Sequence, residues 1–109
     1  MALGAYANLP QGDRSIDVRY RTAMLDAQVG MFAQARALTD TIMAASPDNL
    51  LGYYARAMIG QAAGDSAAAR SARAAFTAHY DVEIKKTRPE YAENRALLDQ
   101  FRAGARTQP

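Results

Sequence analysis

The sequence predicts an all-α protein made of two helical hairpins and a closing helix. Along most of the chain, apolar residues return at intervals of three and four, the spacing of one face of an α-helix. Glycine, proline and capping residues interrupt this pattern at regular distances. The chain has 109 residues and is 50% hydrophobic. Much of that content is alanine, which favours helices packed closely through small side chains around a modest single core.

Composition narrows the range of functions. The net charge is only +2, so no strong field attracts nucleic acid or anionic lipid. The chain has no cysteine and a single histidine, His79, and neither metal-ligand spacing nor a phosphate-binding glycine loop is present. No apolar run approaches the ~20 residues that cross a bilayer. We therefore expect no metal, no cofactor, no nucleic acid and no membrane insertion.

Residues 1–14 are interpreted as an N-terminal segment, with residues 1–9 forming a short helix that resembles the end of a preceding one. Leu3, Tyr6 and Leu9 would leave an apolar edge there. We expect the chain to be the C-terminal part of a longer protein. No signal peptide is recognised in the segment. The compartment stays open: cytoplasmic by default, periplasmic if the parent protein is exported.

The first hairpin is predicted in residues 15–49. Its helices are expected at Ile16–Val29 and Phe32–Ala45, joined by Gly30, a typical helix C-cap residue. Ser46–Asn49 then ends the second helix, because the residue before Pro47 avoids helical geometry. On the outer face, Arg36 and Asp40 have the spacing of a weak ion pair. Candidate N-caps for the successive helices are Asp13, Ser15, Asp48, Asn49, Asp65 and Ser66.

Residues 50–86 predict a second hairpin with a longer second helix. The first helix is expected at Leu50–Ala63, before Gly64. The next should continue to about Lys86, because Phe76, Tyr80 and Ile84 extend its apolar face at intervals of four.

Residues 87–109 predict a closing helix at Pro89–Ala105 and a frayed tail. Thr87 and Glu90 have the spacing of a capping box, and proline is well tolerated in a first helical turn. Tyr91, Leu98 and Phe101 would form its apolar face.

The two hairpins share a plan at an offset of 34 residues. The matching pairs are Tyr20 and Tyr54, Ala23 and Ala57, Met24 and Met58, Gly30 and Gly64, and Ala35 and Ala69. In this period and these positions the chain resembles the tetratricopeptide repeat family. It departs at Arg19, where the second repeat has Tyr53, and at Asp81, where the first has Pro47. The alternative is a generic alanine-rich bundle.

The resemblance implies an α-solenoid of two repeats with a capping helix, and a concave groove lined by the first helix of each repeat. A protein or peptide partner would bind there. Methionine and tyrosine suit such an adaptable apolar surface. The alternative is that the C-terminal helix of the chain itself fills the groove. The candidate groove residues are Asp17, Tyr20, Met24, Gln28, Leu51, Tyr54, Met58 and Gln61.

No residue set favours catalysis. His79 would need a nucleophile or carboxylate beside it, and Asp81 and Glu83 point in other directions on a helix. A basic stretch could contact an acidic partner, although such runs are usually a solvated helix face; it comprises Arg70, Arg73, Lys85, Lys86 and Arg88. The sequence thus predicts a non-catalytic interaction module, with a structural subunit of a larger assembly as the alternative.

Overall fold

The computed structural model describes the backbone of residues 16–107 and the side chains of residues 16–104, and it is helical throughout with no strand in that range. The all-α prediction is confirmed. The predictions for residues 1–14, including Asp13 and the short N-terminal helix, and for Ser15 concern residues outside the described range. The helices are α1 (Ile16–Gln28), α2 (Phe32–Ala45), α3 (Leu50–Ala62), α4 (Ser66–Ile84), α5 (Pro89–Glu93) and α6 (Arg95–Thr107).

The turns after α1 and α3 have the same conformation. Gly30 has a φ of 81° and Gly64 a φ of 78°, in the left-handed region that glycine adopts without steric cost. Each turn closes with the two backbone hydrogen bonds of a Schellman motif. They run from Gly30 N–H to Ala27 O and Met31 N–H to Asp26 O in the first turn, and from Gly64 N–H to Gln61 O and Asp65 N–H to Gly60 O in the second.

Replacing Gly30 or Gly64 with alanine should destabilise the protein by about 1 kcal/mol each, through the left-handed backbone alone. A Cβ at either site meets no atom within 4 Å. Gly104 is a matched control, since its Cβ also meets nothing and its φ is not left-handed. Gly104→Ala should stabilise by about 0.5 kcal/mol through helix propensity. Urea denaturation measures all three, and equal effects at the three sites would contradict the argument.

Helix α3 is the centre of the fold, because it packs against each of the other described helices. Its N-terminus is capped by Asn49, whose side chain accepts from the N–H groups of Leu51 and Gly52. Its buried residues face α1, α2 and α4 at once, so α3 is apolar nearly all round, as a helix inside a core must be. They are Leu50, Leu51, Gly52, Ala55, Ala57, Ile59 and Gly60.

Helix α4 exceeds α2 by five residues, as predicted, although it ends at Ile84 rather than Lys86. Asp65 caps it by accepting from Ala68 N–H. Phe76, which precedes the extra residues, has its ring 4.8 Å from that of Phe101 in α6, and Tyr80, the first of the extra residues, donates its hydroxyl hydrogen bond to Asp99. The overrun therefore attaches the C-terminal helices to the rest.

The prediction of one closing helix is wrong, because Asn94 divides it into α5 and α6. Asn94 N–H bonds to Tyr91 O instead of Glu90 O, and the Asn94 side-chain amide takes over the carbonyl of Glu90 at 2.8 Å. The same amide donates to Asp17 of α1. An asparagine that satisfies backbone groups in this way competes with helical hydrogen bonding.

The capping box predicted for Thr87 and Glu90 is also wrong. Arg88 is the N-cap of α5 and makes no side-chain cap, while the Thr87 hydroxyl bonds to Lys86 O. Glu90 instead accepts from Arg88 Nε at 2.5 Å and from Asn49 Nδ2 at 3.0 Å. Its carboxylate therefore holds the start of α5 against the start of α3.

A buried polar cluster forms where α3, α4 and α5 meet. The hydroxyl of Tyr91 accepts from Leu50 N–H at 3.0 Å and donates to Glu83 Oε1 at 2.7 Å. The other oxygen of Glu83 receives Lys86 Nζ at 2.6 Å. Burial and the bond to Glu83 raise the pKa of Tyr91, so it stays a neutral donor. With Asn49, the cluster satisfies the first N–H groups of α3.

Replacing Tyr91 with phenylalanine should destabilise the protein by about 2 kcal/mol, because it leaves the buried Leu50 N–H without an acceptor and removes a donor from Glu83. Tyr54→Phe is the matched control, since the Tyr54 hydroxyl has no hydrogen bond to the described residues. That change should shift the urea midpoint little. Equal losses in the two variants would show that the Tyr91 bonds contribute nothing.

Candidate functional site

The eight predicted groove residues lie on α1 and α3, which pack against each other. Burial divides them. Leu51 is fully buried and Tyr20 is 8% exposed, so in this conformation both mainly support the surface from beneath. Gln28 and Gln61 are exposed at the ends of their helices, and Asp17, Met24, Tyr54 and Met58 are half-buried. We use the name α1–α3 face for the surface formed by Met24, Gln28, Tyr54, Met58 and Gln61.

Contacts between aromatic rings link this face to the C-terminal helix. Tyr20 and Tyr54 have ring centroids 5.9 Å apart, and Phe101 of α6 meets Tyr54 edge-on at 4.9 Å. Burial raises the pKa of Tyr20 to about 12 and also raises that of Tyr54, so both are neutral phenols at physiological pH. Phe101 of the C-terminal helix thus covers one side of the Tyr54 ring.

Two polar residues, Gln61 on the face and Asp17 beside it, already have partners. Asp17 pairs with Arg21 at 3.1 Å and accepts from Asn94 at 3.1 Å. Gln61 accepts from Arg73 at 3.0 Å. The remaining accessible groups are thioether, phenol and amide, which offer apolar contact and neutral hydrogen bonds rather than charge. Such a surface suits non-covalent recognition of an apolar segment.

A second cluster joins the α2–α3 turn to α4 through His79. The imidazole stacks on Tyr53, with centroids 5.7 Å apart, and its Nε2 lies 3.5 Å from Asp48 Oδ1. The Tyr53 hydroxyl donates to the same oxygen at 2.6 Å. Burial and this bond raise the pKa of Tyr53 to about 12, which makes it a poor nucleophile at neutral pH. Sequence reasoning weighed Asp81 and Glu83 as carboxylate partners of His79. It did not identify Asp48, because only the folded chain brings Asp48 close to the imidazole.

Asp26 of α1 is a buried carboxylate, 2% exposed, whose Oδ2 has no hydrogen-bond partner among the described residues. Burial raises its pKa. A carboxyl whose folded-state pKa is raised penalises folding while it is ionised. The penalty is complete above the raised folded-state value and disappears as the pH falls through it toward the ordinary value of about 3.9.

Asp26→Asn should therefore stabilise the protein at pH 7 by about 1 kcal/mol, because it removes a buried charge with an unsatisfied oxygen. The gain should shrink as the pH falls through the raised pKa of Asp26. Urea denaturation at several pH values measures this dependence. Glu93→Gln, at an exposed site of α5, is the control and should change little. A gain independent of pH would rule out ionisation as its cause.

Within residues 16–107, none of the helices combines the length and hydropathy that a membrane span requires. In the same range, no three His, Asp or Glu side chains are grouped so that they could hold a metal ion.

No protein-family model matches the chain, and no curated protein or solved structure shows significant similarity to it.

Proposed function

We propose that the protein is a non-catalytic protein–protein interaction module, a tetratricopeptide-like array that binds a peptide or helix on the α1–α3 face. The observation that carries this proposal is the recurrence of Tyr20 and Met24 as Tyr54 and Met58 on two helices that lie side by side. A repeated pair of this kind makes a continuous apolar strip. Amphipathic peptides bind such strips through residues at helical spacing.

The order of packing supports the repeat. Helix α3 lies against both helices of the first hairpin, and α6 lies against both helices of the second. Each new element thus covers the hairpin before it, as in a solenoid. The Schellman turns at Gly30 and Gly64 recur at the same interval as the tyrosines and methionines. In this arrangement α5 and α6 take the position of a third repeat and cap the array.

Peptide selection on the immobilised protein tests the α1–α3 face. We expect random dodecapeptides displayed on phage to be enriched for apolar residues at helical spacing. The double variant Met24→Gln, Met58→Gln should bind these peptides at least fivefold more weakly by fluorescence polarisation, because polar isosteres remove apolar contact area. Val82→Thr is the matched control, since Val82 is 65% exposed on α4 and lies off the face.

Circular dichroism and urea denaturation show whether the double variant is folded. A folded double variant that binds the selected peptides as well as Val82→Thr does would refute the α1–α3 face, and so would a library that yields no enriched sequence.

A structural subunit of a larger assembly is the second candidate, and it rests on the C-terminal part of α1 and the turn that follows it. Leu25 is 45% exposed and Val29 is 71% exposed, one helical turn apart. Exposed large apolar residues in that spacing form an edge that another helix could cover. Under this alternative, Leu25→Ser with Val29→Ser releases the protein from its assembly in size-exclusion chromatography, while the methionine variants leave it bound.

A further inference from the structure

A cleft separates α2 from α4 on the side of the molecule away from α1. Its volume is about 340 Å³, within the range of ~300–1,000 Å³ typical of ligand pockets. Ile59 and Tyr53 of α3 form its floor. On the α4 side the lining residues are Ala68, Ser71, Ala72 and Ala75, whose side chains are too short to reach α2. The cleft is therefore a consequence of the alanine-rich sequence of α4.

The charges at the cleft are unbalanced. Arg36 and Arg56 line it together with one carboxylate, Asp40. Asp40 was expected to pair with Arg36 on α2, but it pairs instead with Arg56 of α3 at 3.4 Å. Arg36 consequently has no anionic partner among the described residues and lies exposed at the rim. An unpaired guanidinium above an apolar floor complements a carboxylate attached to an apolar group.

We propose that this cleft binds a short acidic peptide segment, with a leucine-sized side chain on the alanine wall and an adjacent carboxylate on Arg36. Aliphatic contact with the accessible side chains of Ala68 and Ala75 replaces water on the alanine wall. The guanidinium of Arg36 gives a bidentate bond to the carboxylate, and the hydroxyl of Ser71 is available on the opposite wall. Asp40 repels the same carboxylate, so it limits the affinity. The site is separate from the α1–α3 face and does not depend on the proposed function.

Titration of the ¹⁵N-labelled protein with acetyl-Glu-Leu-Leu-Glu-amide tests the proposal by two-dimensional NMR. The amide signals of Arg36, Arg56, Ser71 and Ala72 should shift, and those of the α1–α3 face should not. Acetyl-Gln-Leu-Leu-Gln-amide should bind at least fivefold more weakly, and salt should weaken only the acidic peptide.

Variants of the cleft sharpen the test. Arg36→Gln should weaken the acidic peptide at least fivefold and abolish its advantage over the amide peptide, while Asp40→Asn should tighten it two- to threefold. Ala75→Leu should block both peptides by filling the cleft. Arg70→Gln, an exposed arginine on α4 that does not line the cleft, is the matched control. The absence of shifts, shifts at another face, or equal effects of Arg36→Gln and Arg70→Gln would overturn the proposal.

Discussion

The start of α3 is buried, and the whole arrangement depends on how its backbone donors are satisfied there. A helix N-terminus leaves its first N–H groups without intrahelical partners, and burying them unpaired is costly. Here the Asn49 side chain accepts hydrogen bonds from the N–H groups of Leu51 and Gly52, and the Tyr91 hydroxyl accepts one from Leu50 N–H. Two residues far apart in sequence thus allow the central helix to begin inside the protein.

The hydrogen bond from Leu50 N–H to the Tyr91 hydroxyl also constrains the C-terminal part of the chain. Tyr91 has to lie beside Glu83, so α4 must extend far enough to place Glu83 there. That extension replaces the turn that Pro47 makes in the first hairpin. It also carries Tyr80 to Asp99 of α6, the helix whose Phe101 lies against Tyr54. The departure from the repeat at Asp81 and the covering of Tyr54 therefore have one structural origin.

Local chemistry made most of the fold predictable. Gly30, Gly64, Asn49 and Asp65 each act on their own neighbours, so their turns and caps could be predicted from the sequence. The break at Asn94 could not, because it involves a bond to Asp17, 77 residues away. The resemblance to a repeat family likewise implied that Tyr20 and Leu51 line one groove, without showing how deeply each is buried. The cleft between α2 and α4 could not be predicted from the sequence, because it depends on the distance between these two helices.

Both candidate surfaces share α3, and this determines how binding would be accommodated. Tyr54 lies on the α1 side of α3, where its ring contacts Tyr20, while Tyr53 and Arg56 line the cleft. With its N-terminus fixed by Asn49 and Tyr91, α3 holds its side chains on both sides in place before a partner arrives. A preorganised surface avoids part of the entropy cost of ordering on binding. Under both binding proposals, the polar cluster at Leu50 would therefore contribute to recognition without contacting a partner.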